Sequence, residues 1–285
     1  MTTKQDPFQV VARTYAKDLP VIRKLSIQVS TAEGLGIIPN VGSKSVVFFD
    51  LDHCVYSRAH KLGELMDENT QRYFKKHNIN PKLANKYYHD YGLEIYGLIL
   101  HHPEVDVSNF NDHCDGSLPL KDRLVVRFDL QKLFAEIDRR KYQVWGLTNA
   151  FISHGVNVLK YTGLAELFDG LVSCDYGNTE NFSCKPHKQY FEDALRALNI
   201  SANKAFFVDD SPINIINAHW MGFANCVLYD EEGDKESIFD ELLKDGESRQ
   251  RRAFKYGSVH VVRDLVDLKS IWPQVFSRHQ ATDGH

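Results

Sequence analysis

Three short apolar runs, each closing on a polar side chain, set the rhythm of this chain. They cover residues 45–50 (Ser-Val-Val-Phe-Phe-Asp), 143–148 (Gln-Val-Trp-Gly-Leu-Thr) and 205–209 (Ala-Phe-Phe-Val-Asp), with a weaker fourth over 224–229. Continuous runs of this length suit strands buried on both faces of a parallel sheet. Between them Leu130, Leu133, Phe134 and Ile137 recur at helical spacing, as do Phe191, Leu195 and Leu198. Strands alternating with helices predict right-handed βαβ units, and so an α/β fold with a doubly wound parallel sheet and a Rossmann-like core. In such sheets ligands bind beyond the carboxyl ends of the strands, where the polar residues that close the runs collect.

The spacing adds an insertion. Asp50 and Thr148 are 98 positions apart, whereas a βαβ unit needs roughly 30 residues or a little more, leaving about 60 to spare. The surplus reads as helices: Leu62, Leu65, Met66, Asn69 and Phe74 on one, Tyr87, Tyr88, Tyr91, Leu93 and Tyr96 on the next. The expected layout is a core over 44–60 and 121–273, with a small helical cap over 61–120. Residues 1–43 form an N-terminal arm without a clear strand, and 274–285 a C-terminal tail. Gly92 and Gly97 stand where the cap is expected to bend.

Composition narrows the class. Hydrophobic residues at 43% and charged residues at 25% fit a globular chain able to bury a sizeable core. A net charge of -4 gives no electrostatic case for nucleic acid across the whole molecule. The short basic cluster of Arg249, Arg251 and Arg252 reads either as a solvated loop or as a contact or targeting patch. Cys54, Cys114, Cys174, Cys184 and Cys226 contain no CxxC pair, so neither a zinc site nor a disulfide framework is expected. Charges interrupt the first 30 residues, and no apolar span of about 20 residues occurs, so no membrane insertion is expected. The expected compartment is the cytosol, with the nucleus as an alternative.

The chemistry lies at the ends of the runs. Asp50 and Asp52 are two apart in an extended segment and face the same way. At ~4 Å and an effective dielectric near 20 two such carboxylates repel by about 4 kcal/mol. Keeping both calls for a metal or for a raised pKa on one of them. Both devices serve phosphoryl transfer, with one carboxylate as nucleophile and the other as general acid and base. Thr148 and Asn149 precede a helix expected from about Phe151, so hydroxyl and main-chain N–H groups suit a phosphoryl oxygen, although a helix cap explains them too. Lys185, before Pro186, offers one ammonium. Asp209 and Asp210 end a strand as oxygen ligands for a hard cation; capping of the helix from Pro212 is compatible with that role. Four acids and a phosphate set against Lys185 imply a divalent ion among them.

In this order the motifs resemble the haloacid dehalogenase superfamily: Asp-X-Asp, a strand-end Thr, a Lys and an acidic pair. The resemblance implies Asp50 as nucleophile, Asp52 as general acid and base, and phosphate held by Thr148, Asn149 and Lys185. It places Mg2+ on the Asp50 side chain, the Asp52 main-chain carbonyl, Asp209 and Asp210. The second Asp points away from the dehalogenase branch, which has no leaving oxygen to protonate. Over roughly 45–230 the chain is more similar still to fungal pyrimidine 5'-nucleotidases of the suppressor-of-TFIIS-disruption type. The shared stretches include 48–56, 87–93, 117–120, 167–176, 184–187 and 207–211. The expected substrate is therefore a pyrimidine nucleoside 5'-monophosphate, UMP or CMP. Lysophosphatidate, another nucleotide or another small phosphate ester is the alternative; a catalytically silent binding module is a third reading. In the cap, His53, Tyr88, Tyr91 and Glu94 are candidate contacts to base or ribose, and tyrosines at this spacing also suit packing between helices.

Overall fold

The computed structural model describes residues 26–31, 34–35, 41–249 and 258–276. The chain runs β1 (Ile27–Thr31), β2 (Gly34–Leu35) and β3 (Ser45–Phe49), then into helices α1 (Leu62–Lys76), α2 (Lys82–Tyr91) and α3 (Glu94–His101). Short turns α4 (Phe110–His113) and α5 (Leu120–Arg123) lead to α6 (Phe128–Ala135), β4 (Tyr142–Leu147), α7 (Ile152–Tyr161) and β5 (Gly170–Cys174). There follow α8 (Lys188–Ala197), β6 (Ala205–Asp209), α9 (Pro212–Trp220) and β7 (Asn225–Tyr229). The described chain closes with α10 (Glu236–Arg249), β8 (Ser258–Val262) and α11 (Leu268–Ile271).

One sheet of eight strands, ordered β2-β1-β5-β4-β3-β6-β7-β8, forms the centre. From β5 through β8 every neighbouring pair is parallel. Alternate residues of β3 feed opposite cores: Val46 and Phe48 pack into one hydrophobic cluster, Val47 and Phe49 into the other. That two-sided burial explains why the strand reads as an unbroken apolar run. The chain places β4 and β5 on one side of β3 and β6 to β8 on the other, so the order reverses beside β3. Crevices form at such reversals, beyond the carboxyl ends.

Three expectations change. The arm expected to lack a strand contributes β1, paired antiparallel along β5, with β2 folded back on it. β1, Ile-Gln-Val-Ser-Thr, lacks the unbroken apolar run of the central strands; tertiary pairing decides, helped by the buried Asp193 carboxylate, which accepts from both Ser26 N–H and hydroxyl at 2.8 Å. At the other end Val275 and Phe276 are buried, and Phe276 bridges to Ile137, so core packing continues past 273 to at least 276. Finally, the tyrosine-rich helix of the insertion is two helices, broken where Gly92 caps α2 with φ of 84°. All five cysteines are free and buried. Beyond the main chain of Arg249, the basic cluster lies outside the described residues.

Gly97 is not at a bend. It lies inside α3, where an added Cβ would fall 2.1 Å from Tyr87 Cγ, so the missing side chain is what lets α2 and α3 touch. Gly97→Ala is therefore expected to overpack this contact and cost about 1–3 kcal/mol. Urea denaturation reads it; a variant as stable as the parent would contradict the packing role.

Candidate active site

β3 lies between β4 and β6 in parallel register, with Phe49 opposite Gly146 and Val208. The residues that follow these three strands therefore meet, although the sequence holds them far apart. Asp50 continues the ladder, its N–H donating to Val208 O at 2.8 Å. Lys185 arrives from the loop before α8. Its ammonium donates to Asp50 Oδ1 (2.6 Å), Asp209 Oδ2 (2.7 Å) and Leu147 O (2.7 Å), using all three of its N–H bonds. Lys185 is 1% exposed. Burial works against its charge, but Asp209 and Asp50 outweigh it and raise its pKa.

Each remaining acid has its own partners. Asp209, fully buried, also accepts from Ser211 N–H (2.8 Å) and from Asn214 Nδ2 (3.1 Å). Asp210 pairs with Lys235 Nζ (2.7 Å) and an Arg58 guanidinium nitrogen (3.1 Å). Against the cost of its burial, Lys235 above all, with His53 and Arg58, pulls the Asp210 pKa down. Asp52 Oδ1 accepts from Tyr56 Oη (2.6 Å) and His154 Nε2 (2.7 Å). Here too burial is overcome, by the charge and hydrogen bond of His154 and the Tyr56 hydroxyl, and Asp52 is held at about 2. His154, disfavoured by burial but drawn by Asp52, is pushed up to about 9. Asp50 is the exception. Burial and the surrounding Asp209, Asp210 and Asp52 raise its carboxyl well above the usual range despite Lys185.

The charge count made from the motifs is thus incomplete. Lys185 does not stand alone, because Lys235, Arg58 and His154 compensate Asp210 and Asp52. None of the three carries a motif. The nearest signal is Lys235, one cation among Asp230, Glu231, Glu232, Asp234 and Glu236. Asp230, 1% exposed, accepts from the N–H groups of Gly233, Asp234 and Lys235 and so shapes the loop that delivers that lysine.

Asp50, Asp52, His53, Thr148, Asn149, Lys185, Asp210, Tyr88 and Glu94 all line one cavity of about 360 Å³, walled in part by the helices between β3 and β4. Arg58, Asp67, Gln71, Asn85, Asp115 and Tyr176 complete its polar wall. Asp209 stands behind this surface rather than on it. Thr148 Oγ1 accepts from Ala150 N–H (3.1 Å), which leaves its proton free to donate. Two of the expected side chains are engaged elsewhere. Tyr91 does not line the cavity: its hydroxyl meets His101 Nε2 at 2.6 Å, and its carbonyl accepts from His187 Nε2 (2.9 Å) and Cys184 Sγ (3.2 Å). The Asn149 amide is occupied by the Lys185 main chain, donating to its carbonyl (2.9 Å) and accepting from its N–H (2.7 Å). The Asn149 side chain therefore positions the lysine loop, while the residue still lines the cavity. Gly92 completes this junction, since a Cβ there would lie 2.3 Å from Lys185 O. Tyr87 is buried and Tyr96 packs on Phe182 and His187, the packing alternative read for these tyrosines.

Asp50, Asp209 and Asp210 each bring a carboxylate oxygen within 4.8 Å of the others. An all-oxygen donor set in which one member is strained by its neighbours' charge fits a small hard cation. The Asp52 side chain, turned to His154 and Tyr56, is outside this group, which leaves only its main-chain carbonyl for the role the resemblance implies.

The haloacid dehalogenase-like hydrolase family model matches residues 44–222, more than half of the chain. The chain belongs to this family. Phosphate metabolism protein 8 of Saccharomyces cerevisiae (strain ATCC 204508 / S288c) is 31% identical over 243 residues, 80% of this chain and 73% of the relative. CbbY from Rhodobacter sphaeroides, solved in complex with phosphate, superposes with a TM-score of 0.54 at 14% identity, over 79% of this chain and 96% of its own. The haloacid dehalogenase-like protein SP0104 from Streptococcus pneumoniae gives 0.50 at 12% identity, over 80% and 99%. The mostly parallel α/β fold expected for the family is the fold observed. Among the described residues no helix is long and apolar enough to cross a membrane.

The Asp52–His154 pair makes stability depend on pH at both ends. His154 moves from an ordinary 6.5 to about 9, so its contribution is complete below 6.5 and fades as pH rises through 9. Asp52 moves from 3.8 to about 2, so its contribution holds above 3.8 and fades as pH falls toward 2. NMR of the His154 ring is expected to titrate near 9, and Asp52→Asn to bring that midpoint down. An unmoved midpoint would break the assignment.

Proposed function

We propose that this hydrolase is a Mg2+-dependent phosphomonoesterase working through an aspartyl-phosphate on Asp50, with pyrimidine nucleoside 5'-monophosphates such as UMP and CMP as substrates. One observation carries this reading: Asp50, bonded to a buried ammonium, shares a cavity floor with a second carboxylate two residues on. In this reading an Asp50 oxygen bonds to phosphorus as the ester P–O bond breaks. Asp52 gives a proton to the departing oxygen. It then takes one from the water that attacks the phosphoenzyme, and inorganic phosphate leaves. Asp52 rests ionised, the state the second half needs; the charge of an entering phosphate raises its pKa and lets it carry the first proton. Thr148 donates to a phosphoryl oxygen, and Lys185 balances charge before and after transfer. A divalent ion held by Asp50, Asp209 and Asp210 supplies, when bound, further neutralisation of the phosphate's charge.

Further polar side chains of the cavity support a donor-rich leaving group. Asp67, Gln71, Asn85 and Glu94 can accept hydrogen bonds from hydroxyl or amino groups, whereas an acyl chain offers them none. Tyr88, half exposed, offers a ring face to a base. The yeast relative's name, phosphate metabolism protein 8, agrees with phosphate chemistry.

A panel of phosphate esters assayed with Mg2+ tests the substrate. UMP and CMP are expected at the top, and a ranking led by lysophosphatidate would sink that choice. Asp50→Asn is expected to lose on the order of 10³-fold or more in kcat while remaining folded, and EDTA to abolish turnover until Mg2+ is restored. Retained turnover in either arm would contradict the mechanism.

Glu94 gives a separate test of specificity. Burial, reinforced by Asp67 and Asp115, pushes its carboxyl up to about 7. Glu94→Leu is expected to raise KM for CMP about 10-fold, with a smaller effect on p-nitrophenyl phosphate. An equal change for both esters would remove Glu94 from recognition.

A further inference from the structure

Asp52 is held by one oxygen. Both donors that reach it, Tyr56 Oη and His154 Nε2, end on Oδ1, at 2.6 and 2.7 Å. Tyr56 is 1% exposed and His154 likewise 1%, so neither donor has water as an alternative partner. They come from different parts of the core: Tyr56 from the turn after Asp52, His154 from the first turn of α7, behind β4. Oδ2 receives no donor among the described residues, and Asp52 lines the cavity that holds Asp50. A carboxylate that was free to rotate would present either oxygen. This one cannot rotate without giving up two short charge-assisted bonds.

We infer that His154 and Tyr56 are positioning residues that fix Asp52 so that Oδ2 alone exchanges the proton with the leaving group and the attacking water. The inference rests on the reading of Asp52 as general acid and base. Neither residue touches the ester. Their effect is confined to how well the departing oxygen is protonated, and it grows with that oxygen's basicity.

Leaving-group dependence tests this. kcat/KM is measured for CMP, whose leaving oxygen is alkoxide-like, and for p-nitrophenyl phosphate, whose leaving oxygen needs little protonation. Tyr56→Phe is expected to lower the CMP-to-aryl ratio about 10-fold, and His154→Met about 30-fold or more, chiefly in kcat. His154→Gln keeps a donor near the Nε2 position and is expected to recover most of the ratio. Circular dichroism and thermal melts establish that each variant is folded, and Tyr56→Phe, which removes a single oxygen, serves if His154→Met is not. A ratio unchanged in the folded variants overturns the clamp. If Asp52→Asn remains selective against CMP in that case, the phosphatase reading survives; if Asp52→Asn is equally indifferent, both fall.

Discussion

The Lys185 ammonium lies where two carboxylates and a main-chain carbonyl would otherwise face one another without compensation. Its three bonds tie the ends of β3, β4 and β6 to the loop before α8, so one point charge fixes four chain segments. Removing it would leave two buried acids unpaired, a loss of about 3–5 kcal/mol by the measure of other broken buried pairs. The strain is not fully relieved even with the lysine present. Asp50 keeps a raised pKa because burial and three neighbouring acids oppose one cation. A site with this residual conflict is one that a hard cation or a redistributed proton relaxes.

The sheet was legible in the sequence for a physical reason. β3, β4 and β6 are buried on both faces, which forces unbroken apolar runs, and ladder geometry ends those runs at the edge where ligands bind. β1 and β2 lie beyond that reach, since β1, without an unbroken apolar run, and its two-residue edge partner owe their form to the neighbours they meet. The insertion announced itself by length alone. Its break at Gly92 is expected as a bend, but the close approach of the Lys185 carbonyl to that glycine is visible only in three dimensions.

The partners of the acids divide in the same way. Asp50, Asp52, Asp209 and Asp210 sit in local patterns, so residue type and spacing disclose them. His154, Arg58 and Lys235 are chosen by distance in space, across 102, 152 and 25 positions of chain. A charge balance drawn from motifs alone therefore overstates the excess of negative charge. Asn149 shows the converse limit: adjacency to Thr148 does not disclose that its side-chain amide serves the Lys185 loop.

The corner between α2 and α3 rests directly on the main chain at Lys185, admitted there by the bare Cα of Gly92, and Tyr91 O is stitched to the same loop by His187. The α2–α3 corner and the ammonium thus share a joint. Lifting that corner as a rigid lever would pull on the segment that neutralises Asp50. The position of the α2–α3 corner and the integrity of the floor are in this way mechanically linked.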